Sequence, residues 1–253
     1  MSSPSRLQLA GAFAAIYILW GATFLALRYA VAEVPPLLTI GIRCAGGAAV
    51  LFAWLSWRGQ LTVAPATQWR IALAAGVLLF VGGHGLLAWA AQRVPSGEAA
   101  LLMTAIPLWL VLLDAARARR APAGRVLVGL GLGVLGVAIL TLGGAGSSGT
   151  PADRLGLVGS ALFWAVGSLI ARHGTRPASV LEATAMQLAA GGAVVLLASG
   201  AAGELHEWSA GQVSLRGTLA LGFLVLGGTV LGFGAYTWLL QVRRRPRWAA
   251  MRS

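Results

Sequence analysis

Apolar residues run along this chain in long stretches without period-two alternation, and polar residues gather in the short gaps between them. Continuous runs of roughly 18–22 residues are read as helices that cross a membrane rather than as barrel strands. Eight are marked, at 8–29, 37–57, 70–91, 97–114, 125–143, 155–172, 180–200 and 217–241. Helix breakers sit in the gaps: Pro35-Pro36, Pro65, Pro95, Pro122, Gly143-Gly144, Pro151 and Pro177. The fourth stretch is unusual, because Glu98 and Asp114 bracket it and Pro107 falls inside. Arg6 before an apolar run has the look of a signal peptide. The run from Leu7 to Leu27 is too long for an h-region of about 7–15 residues, so a retained first span is expected.

The pattern comes round twice. Ile16 to Arg28, then Pro35-Pro36 and Arg43, is echoed by Phe163 to Arg172 at a step of 144 positions (164 minus 20), which lays Trp20 on Trp164 and Arg28 on Arg172. Gly83-His84-Gly85 is echoed by Gly232-Phe233-Gly234 at a step of 149. The expected fold is all-α, a polytopic membrane helical bundle. One five-helix unit spans 8–143, a second unit of three helices spans 155–241, and a basic tail occupies 242–253. Five is odd, so the second unit enters the membrane from the opposite side; such inverted repeats are built around transport sites at the midplane.

Composition agrees. Hydrophobic residues make up 58% of the chain and charged residues 10%, whereas a soluble domain carries about 25% charged. Lipid, not water, must be the solvent, and only closed hydrogen-bonding patterns survive there. The 35 glycines suit close helix packing in lipid. The net charge of +12 raises the question of nucleic acid, but the arginines are scattered over short loops rather than gathered on a polar face, and no nucleic acid is expected. With the N-terminus inside, fourteen of the nineteen arginines fall on the cytoplasmic side, so both termini are expected there.

Chemistry is sparse. Gly131-Leu132-Gly133-Val134-Leu135-Gly136 matches a dinucleotide fingerprint but lacks a preceding strand, so Gly129-x-x-x-Gly133 reads as a packing face instead. Metal spacings, nucleophile motifs and cofactor motifs are not found, and neither an enzyme nor a cofactor is expected. Arg43 is the deepest charge. It either pairs with backbone carbonyls or recognises an anionic solute group, because an unpaired arginine at mid-span costs about 2.5–3.5 kcal/mol. His84 is either a cross-bundle hydrogen-bonding group or a titrating group that couples export to protons. Glu98 is the carboxylate candidate for coupling. Trp20 shares a helix face with Thr23, and Trp164 shares one with Ser168. Aromatic walls with a few polar groups suit a small-molecule cavity, so Trp20, Thr23, Arg43, His84, Trp164 and Ser168 are the candidate lining residues.

Tyr17-Ile18-Leu19-Trp20-Gly21-Ala22-Thr23-Phe24, Gly41-Ile42-Arg43, Val94-Pro95-Ser96-Gly97, Ile106-Pro107-Leu108 and Phe163-Trp164-Ala165-Val166-Gly167-Ser168 together resemble the EamA family of the drug/metabolite transporter superfamily, in its YedA-like branch of inner-membrane exporters. The resemblance implies ten helices in two inverted five-helix repeats around a central cavity, in the bacterial inner membrane. It makes a secondary transporter exporting small metabolites or drug-like amphiphiles the leading expectation, with proton coupling and a homodimer as further expectations. This chain has His84 where the branch has an asparagine. It carries an Arg-rich tail where the family has a ninth and a tenth helix, so a non-transporting fragment or assembly partner is the alternative and a membrane-embedded enzyme the weaker one.

Overall fold

The computed structural model describes residues 5–119, 122, 124–142, 149–177, 179–235 and 238. Among these there are helices and no strands. The basic segment 242–253 and the end of the second unit beyond Trp238 lie outside the described residues, as does Gly143-Gly144.

Helix starts follow from local capping chemistry. Helix α1 (Arg6–Val31) opens on Ser5, whose hydroxyl accepts from the Gln8 N–H while the Gln8 side chain accepts from the Ser5 N–H. Helix α2 (Pro36–Trp57) starts with proline in its first turn, where a missing N–H costs nothing. Helices α3 (Ala66–Ala91), α4 (Ser96–Ala118), α5 (Gly124–Leu142), α6 (Pro151–His173), α7 (Val180–Ala201) and α8 (Leu215–Ala235) follow, with a single turn at Glu204–Glu207 before α8. Seven of the eight are long and apolar enough to cross a membrane; α5 holds a shorter apolar stretch. Their outward residues match lipid as solvent: Tyr17 is 73% exposed and Ile18 68%.

Three boundaries differ from expectation for physical reasons. Helix α6 begins at Pro151, because Thr150 and Asp153 form a reciprocal capping box that extends it by a turn. Asp153 and Arg154, which precede the expected start at 155, are therefore helical and buried. Helix α4 is broken at Thr104–Ala105 into Ser96–Met103 and Ile106–Ala118, so Pro107 lies in a first turn rather than in a helix interior. Helix α3 starts at Ala66, directly after Pro65.

Two of the helices change their winding midway. Val77–Gly85 in α3 and Leu224–Leu231 in α8 are π-helical, a form that is rare and concentrated at functional sites. Each carries one side chain that reaches back five residues. His84 Nδ1 lies 3.2 Å from the Leu79 carbonyl, and Thr229 Oγ1 donates to the Leu224 carbonyl at 2.9 Å. A carbonyl can only accept, so the His84 proton is assigned to Nδ1.

Helices α2 and α7 cross at the centre, with α3 against α6 and α7 on one side and α8 against α1 and α2 on the other. Small residues bring the backbones together. A Cβ built on Gly191 would stand 2.6 Å from the Gly76 carbonyl carbon, and one on Gly192 would stand 2.6 Å from the Cys44 Cβ. In α5, Gly133 seats the Leu108 side chain of α4, while Gly129 meets no neighbour within 4 Å among the described residues.

One end of the bundle is laced by polar connections between helix ends. The Glu204 carboxylate accepts from the N–H groups of Leu37 and Leu38, capping α2 from a distant loop, and from the Ser199 hydroxyl. Arg28 donates to the Val94 carbonyl at 2.6 Å, Arg93 pairs with Asp153 at 2.7 Å and Arg154 with Glu98 at 2.6 Å. At the opposite end, Glu182 accepts from the N–H and hydroxyl of Thr62, and Arg172 approaches the exposed Asp114 at 3.4 Å.

Glu33 belongs to the laced end. It accepts from the Ser214 N–H at 2.6 Å and from the Ser214 hydroxyl at 2.7 Å, and these bonds hold its carboxyl below the ordinary glutamate range. A depressed folded-state pKa gives a contribution that is complete above the unfolded pKa and is lost as pH falls through the lower folded value. Melting temperatures of the wild type and Glu33→Gln should therefore differ near neutral pH and converge as pH drops below about 4. A difference that stays constant well below that pH would show that Glu33 does not stabilise through its charge.

Candidate functional site

The winding change in α8 exposes the Gly228 carbonyl to α1. Trp20, halfway along α1, donates its indole Nε1–H to that carbonyl at 3.2 Å, and its ring meets Phe233 edge-on at 5.8 Å. Thr23, one turn further, donates to the Trp20 carbonyl at 2.5 Å and turns its methyl group towards Gly228. Arg43 of α2 comes from the other side. Its Nε donates to Thr229 Oγ1 at 3.0 Å, and its Nη2 lies 3.7 Å from where a Gly228 Cβ would stand. Three expected residues thus converge on one glycine, which has no side chain to keep them apart.

A second cluster gathers on Gly83 of α3. Ser160 of α6 donates to the Gly83 carbonyl at 2.6 Å, and Trp164 packs its ring 3.5 Å from where a Gly83 Cβ would stand. His84 stacks on Phe80 at 5.5 Å and meets the Trp164 ring edge-on at 4.6 Å. Gly83 and Gly228 stand 145 positions apart (228 minus 83), as do His84 and Thr229, one more than the step that relates Trp20 to Trp164. So the first helix of each expected unit leans on the π-helical turn of the other unit's third helix.

Not every candidate joins these clusters. Ser168 is half-buried one turn beyond Trp164. Glu98 lies at the laced end of the bundle, held 2.6 Å from the Arg154 Nε, away from both glycine clusters. Thr229, Ser160 and Phe80 complete the clusters without having been singled out in the sequence. Arg93, outside the spans, is engaged by Asp153, which raises its pKa, and its guanidinium lies 4.4 Å over the Trp89 ring. A groove of about 610 Å³ opens sideways between α1 and α8, lined by Leu25, Tyr29, Leu219 and Phe223 among others. It is apolar and holds none of the clustered polar groups, so the chemistry sits elsewhere. No group of three or more His, Cys, Asp or Glu side chains that could hold a metal occurs among the described residues.

Apolar helices facing lipid, with arginine, histidine and two indoles turned inward at mid-span, define a polytopic membrane protein of the transporter class. The comparisons with known proteins are narrower. The EamA-like transporter family model matches residues 9–142, and the chain belongs to that family. It is 33% identical to the uncharacterized inner membrane transporter YedA of Escherichia coli strain K12, over 93% of this chain and 75% of that protein. A protein of the same strain named as a probable amino-acid metabolite efflux pump is 24% identical over 89% of this chain and 75% of its own. A crystal structure aligns with a TM-score of 0.58 at 26% identity, covering 96% of this chain and 82% of the other. The chain is accordingly a multi-pass protein of the bacterial inner membrane in the drug/metabolite transporter superfamily, and its named relatives are transporters.

Proposed function

We propose that the chain is a secondary transporter that exports small metabolites or drug-like amphiphiles by alternating access, with units 8–143 and 155–241 lying back to front. The observation that carries this reading is the reciprocal pair of contacts. Trp20 docks on the Gly228 carbonyl, and Ser160, one turn from Trp164, docks on the Gly83 carbonyl. Rocking one unit against the other would exchange these seams around a fixed midplane site. Trp20, Thr23, Arg43, His84, Trp164 and Ser168 are its proposed lining. The lacing by Glu204, Glu33, Asp153 and Glu98 would then keep one face shut in this conformation. The excess of arginine in alternate loops supports cytoplasmic termini, and with that orientation the shut face is the periplasmic one.

His84 is the proposed coupling group, since Glu98 is paired with Arg154 at the laced end of the bundle. The test is efflux from proteoliposomes loaded with amphiphilic amines, amides and carboxylates, amino acids included in view of the relative's name. Protein-dependent loss of at least one solute, faster under an imposed pH gradient, is expected. Loss no faster than from empty vesicles would remove the transporter reading. His84→Ala should flatten the pH profile of the wild type, and an unchanged profile would take His84 out of coupling.

A further inference from the structure

Arg43 is buried, 7% exposed, eight residues into α2. Its Nε is satisfied by Thr229 Oγ1, and no carboxylate among the described residues lies within ion-pair distance of it. Six of the seven acids are committed elsewhere. Glu98, Asp114 and Asp153 hold Arg154, Arg172 and Arg93; Glu33, Glu182 and Glu204 hold helix ends and loops. Other arginines that approach burial do have partners, Arg154 a carboxylate and Arg28 a carbonyl. Arg43 stands apart as a buried cation whose charge the described protein leaves unmatched, and an unmatched cation at that depth is costly.

The hydrogen bond to Nε also sets direction. With one edge of the guanidinium tied to Thr229, the two terminal nitrogens have no hydrogen-bond partner among the described residues and form an end-on fork near Gly228, where Thr23 and Trp20 also converge. A planar pair of oxygens fits such a fork with two parallel charge-assisted hydrogen bonds. We propose that Arg43 is the anion-recognition residue of the transport site and that the exported solute carries a carboxylate beside an apolar or aromatic body. Arg43 grips the carboxylate end-on while Trp20 and Thr23 face the rest of the solute. The proposal rests on the transporter reading of the same clusters and narrows it to one class of solute.

The test uses the full chain in lipid nanodiscs, with indole fluorescence and thermal shift as readouts and three probes sharing one ring: 3-phenylpropionate, 3-phenylpropionamide and 3-phenylpropylamine. The carboxylate should bind about tenfold to a hundredfold more tightly than the amide, the size expected for hydrogen bonds to a charged group. Arg43→Gln should erase that preference, and Arg43→Lys, which keeps the charge but loses the fork, should fall between. Phenyl phosphate serves as a fourth probe; tighter binding than the carboxylate would overturn the carboxylate assignment. Equal binding of the acid, amide and amine by the wild type, no binding of the acid, or wild-type preference in Arg43→Gln would each overturn the proposal. The wild-type comparison stands even if Arg43→Gln fails to fold. Efflux of the same probes separates the two readings. Acid efflux that is indifferent to Arg43→Gln leaves a transporter without this site. Arg43-dependent binding of the acid with no efflux of any probe leaves the site without transport.

Discussion

Gly191→Ala is expected to lower the melting temperature in detergent by roughly 6–12 °C, the shift that an overpacking cost of about 3 kcal/mol gives a chain of this size. The reason is the kind of atom that the new methyl would meet. Its nearest neighbours are the carbonyl carbon and oxygen of Gly76 at 2.6 Å and the Gly76 Cα at 2.8 Å, all backbone. A side chain could rotate away; a backbone yields only if helices α3 and α7 separate. That separation would propagate to the π-helical turn that begins one residue later, at Val77. Gly76→Ala meets the Gln187 carbonyl oxygen at 2.5 Å and should behave alike. Gly21→Ala, where nothing lies within 4 Å, is the matched control and should change little. Equal melting temperatures for Gly191→Ala and Gly21→Ala would refute the close backbone crossing.

Glu98→Ala is the second large effect. It leaves Arg154, whose side chain is 5% exposed, with a buried and uncompensated charge, and one of its terminal nitrogens is already without a partner. Losing one member of a buried pair typically costs about 3–5 kcal/mol, whereas replacing both with apolar groups is often neutral. Glu98→Ala should therefore unfold well below the wild type, and the double variant with Arg154→Leu should recover most of the loss. A double variant no better than Glu98→Ala would mean that Glu98 acts on its own rather than through Arg154.

Much of the architecture was legible because lipid imposes long apolar runs and proline and glycine punctuate them. The misread boundaries have separate causes. The start of α6 was written in Thr150-Pro151-Ala152-Asp153, a capping-box signature whose polar residues look like loop when only hydropathy is weighed. The break in α4 sits two residues before Pro107, and one sequence cannot distinguish a kinked span from two joined halves. At the site, Trp20, Thr23 and Arg43 were readable as inward polar and aromatic groups on apolar helices. Thr229 was not, since a threonine beside paired glycines reads as a spacer and its partner lies 186 positions away. The repeat held a clue to it: the glycine clusters align at a step of 145, and the step of 149 chosen from Gly-x-Gly similarity passes it by. The pairing of Glu98 with Arg154 was hidden for a related reason, since its partner is 56 positions off in another helix.

The acceptors on Gly83 and Gly228 are main-chain oxygens, and no point substitution can delete a carbonyl. The donors Trp20 and Ser160 could drift to other residues while their docking points persisted, so the seams tolerate changes of spelling but not changes of count. Losing one residue from 224–231 would let that turn revert to α-helical winding and withdraw the Gly228 carbonyl from Trp20. At these two seams a change in residue count does more harm than a change of donor.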